Sequence, residues 1–139
     1  MKVVLDTNVI ISSFVSNGIC KNLFEICLES FTIIISKYIM DELNSIFNKK
    51  FKMPADKIKE IIDFLNENCE LKTYEKIEEQ VCRDRDDDNI LALAKDSSVS
   101  YIITGDKDLL VLEKYNSIPI ITPRIFFNIM NNINEDVEK

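Results

Sequence analysis

Four acidic residues stand where a fold could bring their carboxylates together. Asp6 and Asp106 each follow a short apolar run, and Glu42 and Asp87 fall in stretches with apolar residues at helical spacing. Carboxylate oxygens are the ligands that hard divalent cations such as Mg²⁺ prefer. A cation held in this way lowers the pKa of a bound water, orients it for attack on phosphorus and stabilises the leaving oxygen. The four residues are therefore predicted to bind one or two metal ions and to cut a phosphodiester.

Histidine is absent from the sequence, which removes other common routes to hydrolysis. Ser-His and Cys-His catalysis both need an imidazole base. A zinc site would have to be built almost wholly from cysteines, and their spacing includes no C-x-x-C pair. The cysteines are instead predicted to be small buried hydrophobic residues: Cys20, Cys27, Cys69 and Cys82. Acid–base and metal chemistry is left to Asp, Glu, Lys, Tyr or bound water.

The charge and the glycine content argue against further classes of protein. A net charge of −7 does not suit a protein that coats nucleic acid through bulk charge, although a carboxylate metal site contributes to that count. The two glycines supply neither G-x-G-x-x-G nor G-x-x-x-x-G-K-[ST], the loops that cradle nucleotide phosphates. No apolar run approaches the roughly 18 residues of a membrane span, and we see no secretory signal. We therefore expect a cytoplasmic protein that does not enter a membrane.

The apolar pattern predicts a scaffold for this chemistry. Strands alternate with helices and are nearly all apolar, as in a parallel sheet covered on both faces. The predicted strands are 3–5, 31–35, 101–104 and 118–121, with a short one near 71–73. The predicted helices are 8–15, a stretch around 23–28, 37–48 after an N-cap at Ser36, one opened by Pro54, 87–95, 109–115 and 124–130. We expect one α/β domain at 1–131 and a polar tail at 132–139.

Two of the acids stand at the ends of predicted strands. Ligands of open α/β sheets bind beyond the carboxyl ends of the strands. Asp6 follows the first strand directly, and Asp106 follows a later strand after Gly105. Either residue alone could instead cap the next helix, because Asp is a favoured capping residue. Their equivalent positions on two strands favour a shared site.

Helical geometry sorts Glu42 from its neighbour Asp41. At about 100° per residue, Glu42 falls roughly 40° from Ile46, at the border of the apolar stripe of its helix. Asp41 falls on the far side, toward water. Glu42 is therefore predicted to reach into a cleft, and a surface glutamate beside the stripe is the alternative.

The densest acidic run, DRDDD, begins at Asp84. Asp84 or Asp86 is predicted to stabilise the N-terminus of the next helix. Asp87 points along the stripe that contains Ile90, whereas Asp88 is predicted to point away toward solvent. An acid aimed at the core is costly unless something pairs with it, and a metal ion does so. Asp87 is the predicted site residue of this run.

Four motifs in this order resemble the PIN domain family, most of all its small bacterial and archaeal members described as toxin components of toxin–antitoxin pairs. The motifs are Val-Leu-Asp6-Thr-Asn8, Asp41-Glu42-Leu, Asp86-Asp87-Asp88-Asn-Ile-Leu-Ala-Leu-Ala, and Ile-Ile-Thr104-Gly105-Asp106-Lys-Asp108-Leu. Each motif is weak alone, but four in register across the whole chain are specific.

The resemblance implies a three-layer α/β/α fold around a mainly parallel sheet and a Mg²⁺- or Mn²⁺-dependent ribonuclease. The family's catalytic and metal-binding quartet falls on Asp6, Glu42, Asp87 and Asp106. Asn8 and Thr104 match polar positions that support the site through hydrogen bonds. Asp108 is interpreted as the cap of the following helix, with a peripheral role at the metal as a further option. The resemblance also implies homodimers and, for toxins, a cognate antitoxin that blocks the site.

Other functions stay open at this point. A member of the fold without activity could bind RNA or a protein partner, although four intact acids argue against it. A receiver domain would need paired acids after its first strand, and an aspartate phosphatase would need Asp-x-Asp there, where this chain has Asp6 and Asn8. Basic residues such as Arg83 could guide a strand of RNA or form a solvated surface. RNA, rather than another phosphodiester, rests on the resemblance alone.

Overall fold

Apolar, mostly β-branched residues form the central strands of a sheet, because such residues suit extended backbone that is covered on both faces. The computed structural model describes the backbone of residues 1–138 and the side chains of residues 1–132. Within this part of the chain the strands are β1 (Lys2–Leu5), β2 (Thr32–Ile35), β3 (Glu70–Leu71), β4 (Tyr101–Ile103), β5 (Lys114–Tyr115) and β6 (Ile118–Ile121). The helices are α1 (Thr7–Val15), α2 (Ile19–Ser30), α3 (Lys37–Lys49), α4 (Ala55–Asn68), α5 (Asp88–Ser97), α6 (Lys107–Leu110) and α7 (Pro123–Glu138). A 3₁₀ turn, Arg85–Asp87, leads into α5.

The strands lie in the order β3-β2-β1-β4-β6-β5. Neighbouring strands are parallel except β5 and β6, which form an antiparallel hairpin. Val4, near the middle of the sheet, pairs with Ile34 on one side and with Ile102 on the other. Residues 3–5 and 33–35 are all buried, so both faces of the sheet are covered at its centre. The prediction of an α/β fold on a mainly parallel sheet is confirmed.

Helices cover both faces of the sheet. The chain proceeds from β1 through β2 to β3 in one direction and then returns past β1 to β4. Because parallel connections are right-handed, this return puts α5 on the opposite face from α1 and α2. The rings of Phe14, Phe24 and Phe64 join α1, α2 and α4 on one face at centroid distances of 5.5 to 6.5 Å. The result is the three-layer α/β/α arrangement that the resemblance implied.

Several element boundaries follow local sequence signals. The Ser36 Oγ accepts a 3.2 Å hydrogen bond from the Ile39 N–H, which confirms the predicted N-cap of α3. α7 begins at Pro123 and continues to Glu138, beyond the predicted end at 130. The helix therefore crosses the predicted boundary at 131, and the division of the chain into a domain and a tail stays a prediction.

The predicted helix at 109–115 is wrong from residue 111 onward. α6 spans Lys107–Leu110, and the chain then turns into the hairpin of β5 and β6. Asn116 and Ser117 between those strands have φ of 49° and 65°. Two-residue hairpin turns of type I′ require positive φ at both central positions, so this turn geometry suits the pairing of the two strands.

Within residues 1–138, no helix combines the length and the apolar character needed to cross a bilayer.

Candidate metal centre

The carboxyl ends of β1 and β4 meet where the chain connections diverge across the sheet. From β1 the chain crosses to β2 on one side, while β4 lies on the other side. Such a switch point leaves a crevice in which α/β sheets bind ligands. Asp6 directly follows β1, and its Oδ2 accepts a 2.7 Å hydrogen bond from the Thr104 Oγ1, which lies just past β4. Sheet pairing thus joins two residues that are 98 positions apart.

Asp6 is also the N-cap of α1, because its Oδ1 accepts a 2.7 Å hydrogen bond from the Thr7 N–H. The residue is only 7% exposed. Burial raises the pKa of the Asp6 carboxyl, against the two hydrogen bonds from Thr104 and Thr7, and the charges of Asp106 and Glu42 add to the rise. Asp6 therefore caps α1 and also lies at the carboxyl end of β1, so the two predicted roles are compatible.

Asp106 is connected to Asp6 through Thr104. The fully buried Thr104 Oγ1 accepts a 2.9 Å hydrogen bond from the Asp106 N–H. Asp106 in turn caps α6, since its Oδ1 accepts a 2.9 Å hydrogen bond from the Asp108 N–H. The prediction that Asp108 is the cap is wrong, because α6 begins at Lys107 and not at 109.

Asp87, Asp106 and Asp108 bring carboxylate oxygens within 4.8 Å of one another. We call these three residues the aspartate cluster. Burial raises the pKa of Asp87 to about 7, and the charge of Asp106, a hydrogen bond with the Asp106 carboxyl and the charge of Asp6 add to this rise. Each of these causes favours the neutral form of the Asp87 carboxyl, as the close approach of like charges does in general.

Glu42 lies half-buried on α3, at the side of the helix that the helical wheel predicted. Its Oε2 accepts a 3.3 Å hydrogen bond from the Tyr38 hydroxyl, and its charge acts on Asp6. Asp41 is exposed and pairs with Lys37 at 2.8 Å, in agreement with its predicted surface role. Sequence reasoning missed Tyr38, although its spacing of four residues from Glu42 puts both on one helix face.

The donor set suits a hard divalent cation. The cluster offers oxygen atoms, and the neighbouring Asp6 and Glu42 offer more. Burial raises the pKa of the nearby Cys82 thiol to about 12, which disfavours the thiolate that a soft metal would need. Repulsion among the acids contributes to the raised pKa of Asp87, and a bound cation would relieve it. These properties fit Mg²⁺ or Mn²⁺ better than zinc.

Asp88 corrects one prediction, because it is 4% exposed and does not face solvent. Its Oδ1 accepts a 2.8 Å hydrogen bond from the Cys82 N–H, and its Oδ2 accepts one of 3.1 Å from the Val81 N–H. The Arg85 Nη1 lies 3.3 Å from the same Oδ2. The irregular segment 72–84 thus folds over the outer side of α5. Burial opposes ionisation of Asp88, yet its hydrogen bonds and the Arg85 charge together hold the pKa of this carboxyl below its usual range.

Two more predicted residues have clear positions. Asp84 begins the 3₁₀ turn, and its Oδ1 accepts a 3.0 Å hydrogen bond from the Asp86 N–H, as the prediction of a helix-terminal acid required. Asn8 is exposed on α1, and its side chain makes no hydrogen bond to the residues whose side chains are described. Its supporting role at the site stays a prediction.

Comparison with known proteins shows what most of this chain is similar to. A family model described as "PIN domain" matches residues 2–108. An uncharacterized protein of Methanocaldococcus jannaschii is 33% identical over 129 residues, in a match that covers 84% of this chain and 77% of that protein. VapBC2 from Rickettsia felis, solved with a DNA fragment from its promoter, gives a TM-score of 0.65 at 15% identity, covering 88% of this chain and 98% of that one. VapC20 of Mycobacterium tuberculosis, a sarcin-ricin loop cleaving toxin, gives 0.59 at 10% identity, covering 84% and 99%. At these identities the two solved structures show a shared fold.

Proposed function

This chain belongs to the PIN domain family, and from that premise we propose that it is a Mg²⁺- or Mn²⁺-dependent endoribonuclease. Its reaction is the hydrolysis of internal phosphodiester bonds in RNA. The observation that carries the proposal is the approach of the Asp87, Asp106 and Asp108 oxygens to within 4.8 Å, beside a buried Asp6. Three acids at this separation repel one another, so the arrangement is best satisfied by a cation.

The proposed metal ligands are Asp6, Glu42, Asp87 and Asp106, which are also the proposed catalytic residues. A bound divalent cation supplies a Lewis acid and a water of lowered pKa. The side chains of this protein supply position: Thr104 fixes the Asp6 carboxylate, and Tyr38 holds Glu42. Burial and the charges of Asp106 and Asp6 raise the pKa of Asp87 to about 7, and a divalent cation held here would offset that repulsion.

We base the proposed partners of this protein on the two solved structures that share its fold. The two solved structures come from VapBC and VapC proteins, one of them described as a sarcin-ricin loop cleaving toxin. We propose by analogy that this chain is the toxin of a toxin–antitoxin pair, that a cognate antitoxin blocks its site, and that it forms a homodimer. Light scattering of the purified chain tests the last point, and a mass of one 16.1 kDa chain would contradict the dimer.

The decisive experiment is a cleavage assay on mixed RNA and single-stranded DNA with Mg²⁺, Mn²⁺ or chelator. We expect metal-dependent RNA cleavage that falls by roughly 100-fold or more in Asp6→Asn and Asp87→Asn, because each removes a ligand charge. Glu42→Gln should also lose activity. Asp41→Asn is the matched control one residue away, because Asp41 is exposed and paired with Lys37 on the outer side of α3.

Two outcomes would decide against the proposal. Cleavage in chelator, or Asp6→Asn and Asp87→Asn as active as the wild type, would reject the metal mechanism. Bound metal without cleavage of any nucleic acid would favour the alternative, a catalytically silent PIN-fold module that binds RNA or a protein partner.

A further inference from the structure

Arg83 brings a guanidinium group to the edge of the aspartate cluster. Its Nε lies 3.1 Å from the Asp108 Oδ1, and its Nη2 lies 3.1 Å from the Asp108 Oδ2, so both carboxylate oxygens accept hydrogen bonds. The Arg83 side chain is nevertheless 85% exposed. One side of the guanidinium thus binds a cluster member while the rest of it faces the solvent from which a substrate would arrive.

The backbone on both sides of Arg83 is anchored. The Cys82 N–H donates to the buried Asp88, and the Gln80 amide donates a 3.0 Å hydrogen bond to the Arg83 carbonyl. On the other side, Asp84 accepts the hydrogen bond that starts the 3₁₀ turn. Because these bonds fix the backbone against α5, the reach of Arg83 is limited to the neighbourhood of the cluster.

Two other cations near this edge of the protein already have structural partners. Lys37 pairs with Asp41 at 2.8 Å. Arg85 contacts Asp88 and donates to the carbonyl oxygens of Ile77 and Glu78. Among the ion pairs formed by residues 1–132, the pair of Arg83 with Asp108 is the one that reaches the aspartate cluster.

The geometry by which Arg83 binds the Asp108 carboxylate also suits the binding of a phosphate. The planar fork of a guanidinium matches two oxygens of a carboxylate or of a phosphate equally well. The guanidinium side of this ion pair is exposed to water, where ion pairs contribute little to stability, so exchange of one oxyanion for another costs little. An acidic protein with a net charge of −7 also needs a local cation if it is to hold a polyanion beside its acids.

We propose that Arg83 binds a phosphate of the RNA strand next to the scissile bond, and that Asp108 holds the guanidinium in place while no RNA is bound. This inference rests on the proposed ribonuclease function. It assigns Asp108 as an exchange partner for Arg83 and not as a cap of α6.

The proposal makes Arg83 and Asp108 act in opposite directions on RNA affinity. Arg83→Ala should weaken binding of a single-stranded RNA by roughly 3- to 10-fold and should lower the slope of log affinity against log salt by about 0.7, the value for one phosphate contact. Asp108→Asn frees the guanidinium and should tighten binding. Most of that gain should vanish in the Arg83→Ala background, because it depends on the freed guanidinium.

The measurement is fluorescence anisotropy of a labelled single-stranded RNA over a salt series, with Mg²⁺ present. Every variant carries Asp6→Asn so that the RNA stays intact. Arg83→Lys keeps the charge without the fork and should fall between wild type and alanine. Lys59→Ala is the matched control, since Lys59 is an exposed cation paired with Asp63 on α4. Thermal unfolding of each variant checks that it is folded.

The outcomes separate this inference from the function on which it rests. Unchanged affinity in Arg83→Ala would overturn the inference alone. Equal losses in Arg83→Ala and Asp108→Asn, with an unchanged salt slope, would also overturn it and would mark the pair as a structural contact. If the wild-type chain neither binds nor cleaves RNA under any metal condition, the proposed function falls and this inference falls with it.

Discussion

Thr104 joins the two strand ends that carry Asp6 and Asp106. Its hydroxyl donates to the Asp6 Oδ2 at 2.7 Å and accepts from the Asp106 N–H at 2.9 Å. Both bonds lie at a fully buried position, where water cannot take the place of a missing partner. The family resemblance predicted a supporting threonine here. Residue type and spacing alone did not, because the sequence gives no sign that one hydroxyl bridges two acids.

Replacing Thr104 by valine keeps the shape of the side chain and removes the hydroxyl. We expect Thr104→Val to lower the free energy of unfolding by about 1–3 kcal/mol, because Asp6 loses a donor in a buried position. RNA cleavage should fall by roughly 10- to 100-fold, as for other groups that orient metal ligands. Urea unfolding and the cleavage assay measure the two effects. Thr104→Ser is the control, and a valine variant with the wild-type rate would show that the hydroxyl does not position Asp6.

Helical geometry predicted the orientation of Glu42 and Asp87 but not that of Asp88. Glu42 lies beside the apolar stripe of α3, and Asp87, in the 3₁₀ turn that leads into α5, belongs to the aspartate cluster, so the stripe of the nearest helix was enough to orient each of them. Asp88 lies on the outer side of α5, and its burial depends on a different part of the chain that folds over it. A helical wheel contains no information about such a cover.

At the scale of elements, the segment 72–84 has almost no regular structure, yet it is held firmly to α5. The Tyr74 hydroxyl donates a 2.7 Å hydrogen bond to Asn89, and the Glu75 N–H donates one of 2.7 Å to Asp96. Asp88 accepts two backbone N–H groups from the other end of the segment. The segment is therefore ordered by side chains of α5 and carries Arg83 to the aspartate cluster.

Asp88→Asn should loosen this segment. The amide cannot accept two backbone N–H groups as a carboxylate does, and Arg85 loses its charged partner, so we expect a loss of about 2–4 kcal/mol in the free energy of unfolding. Limited digestion with trypsin should cut after Arg83 and Lys76 faster than in the wild type, since local opening exposes these sites. Asp86→Asn is the matched control, because Asp86 is an exposed acid of the same run. Equal digestion rates in the two variants would contradict an anchoring role for Asp88.

Prediction of the strands depended on their length and burial. β1, β2, β4 and β6 contain apolar runs, which are typical of parallel strands covered on both faces, and the sequence predicted all four. β5, Lys114–Tyr115, was missed because two residues are too short to show a period. Its existence depends on the turn at Asn116 and Ser117, whose positive φ the sequence does not display, since neither residue is glycine.

At the scale of the whole molecule, Asp87 and Asp88 make the free energy of unfolding depend on pH in opposite directions. The folded state raises the pKa of Asp87 to about 7, from an ordinary value of 3.8. The folded protein therefore holds more protons than the unfolded chain between these values, and the free energy of unfolding falls as pH rises from about 4 to about 7. Asp88 has a lowered pKa, so its contribution is present above about 4 and is lost as pH falls further.

A divalent metal ion should reverse the loss of stability that Asp87 causes as pH rises. At pH 8, above the pKa of Asp87, Mg²⁺ or Mn²⁺ at about 100 times its Kd should add about 2.7 kcal/mol to the free energy of unfolding, or roughly 10 °C in Tm. At pH 5 the metal must displace a proton, so the shift should be much smaller.

Asp87→Asn should raise the metal-free Tm at pH 8 and should reduce the shift caused by metal, because it removes one repelling charge and one ligand. Calorimetry at the two pH values, with and without metal, measures these effects. A metal shift of equal size at pH 5 and pH 8 would contradict this linkage.

The hydrogen bond between Asp6 and Thr104 also bears on when the carboxylate site can assemble while the chain is being synthesised. The two residues are 98 positions apart in the sequence, although the strands that present them, β1 and β4, are neighbours in the sheet. Contacts of such long range form late, because the intervening chain must be ordered first. A chain growing on the ribosome contains Asp6 and Glu42 well before it contains Asp106. Products of translation interrupted before residue 106 therefore lack a complete carboxylate set, and the proposed nuclease activity would require synthesis beyond this residue.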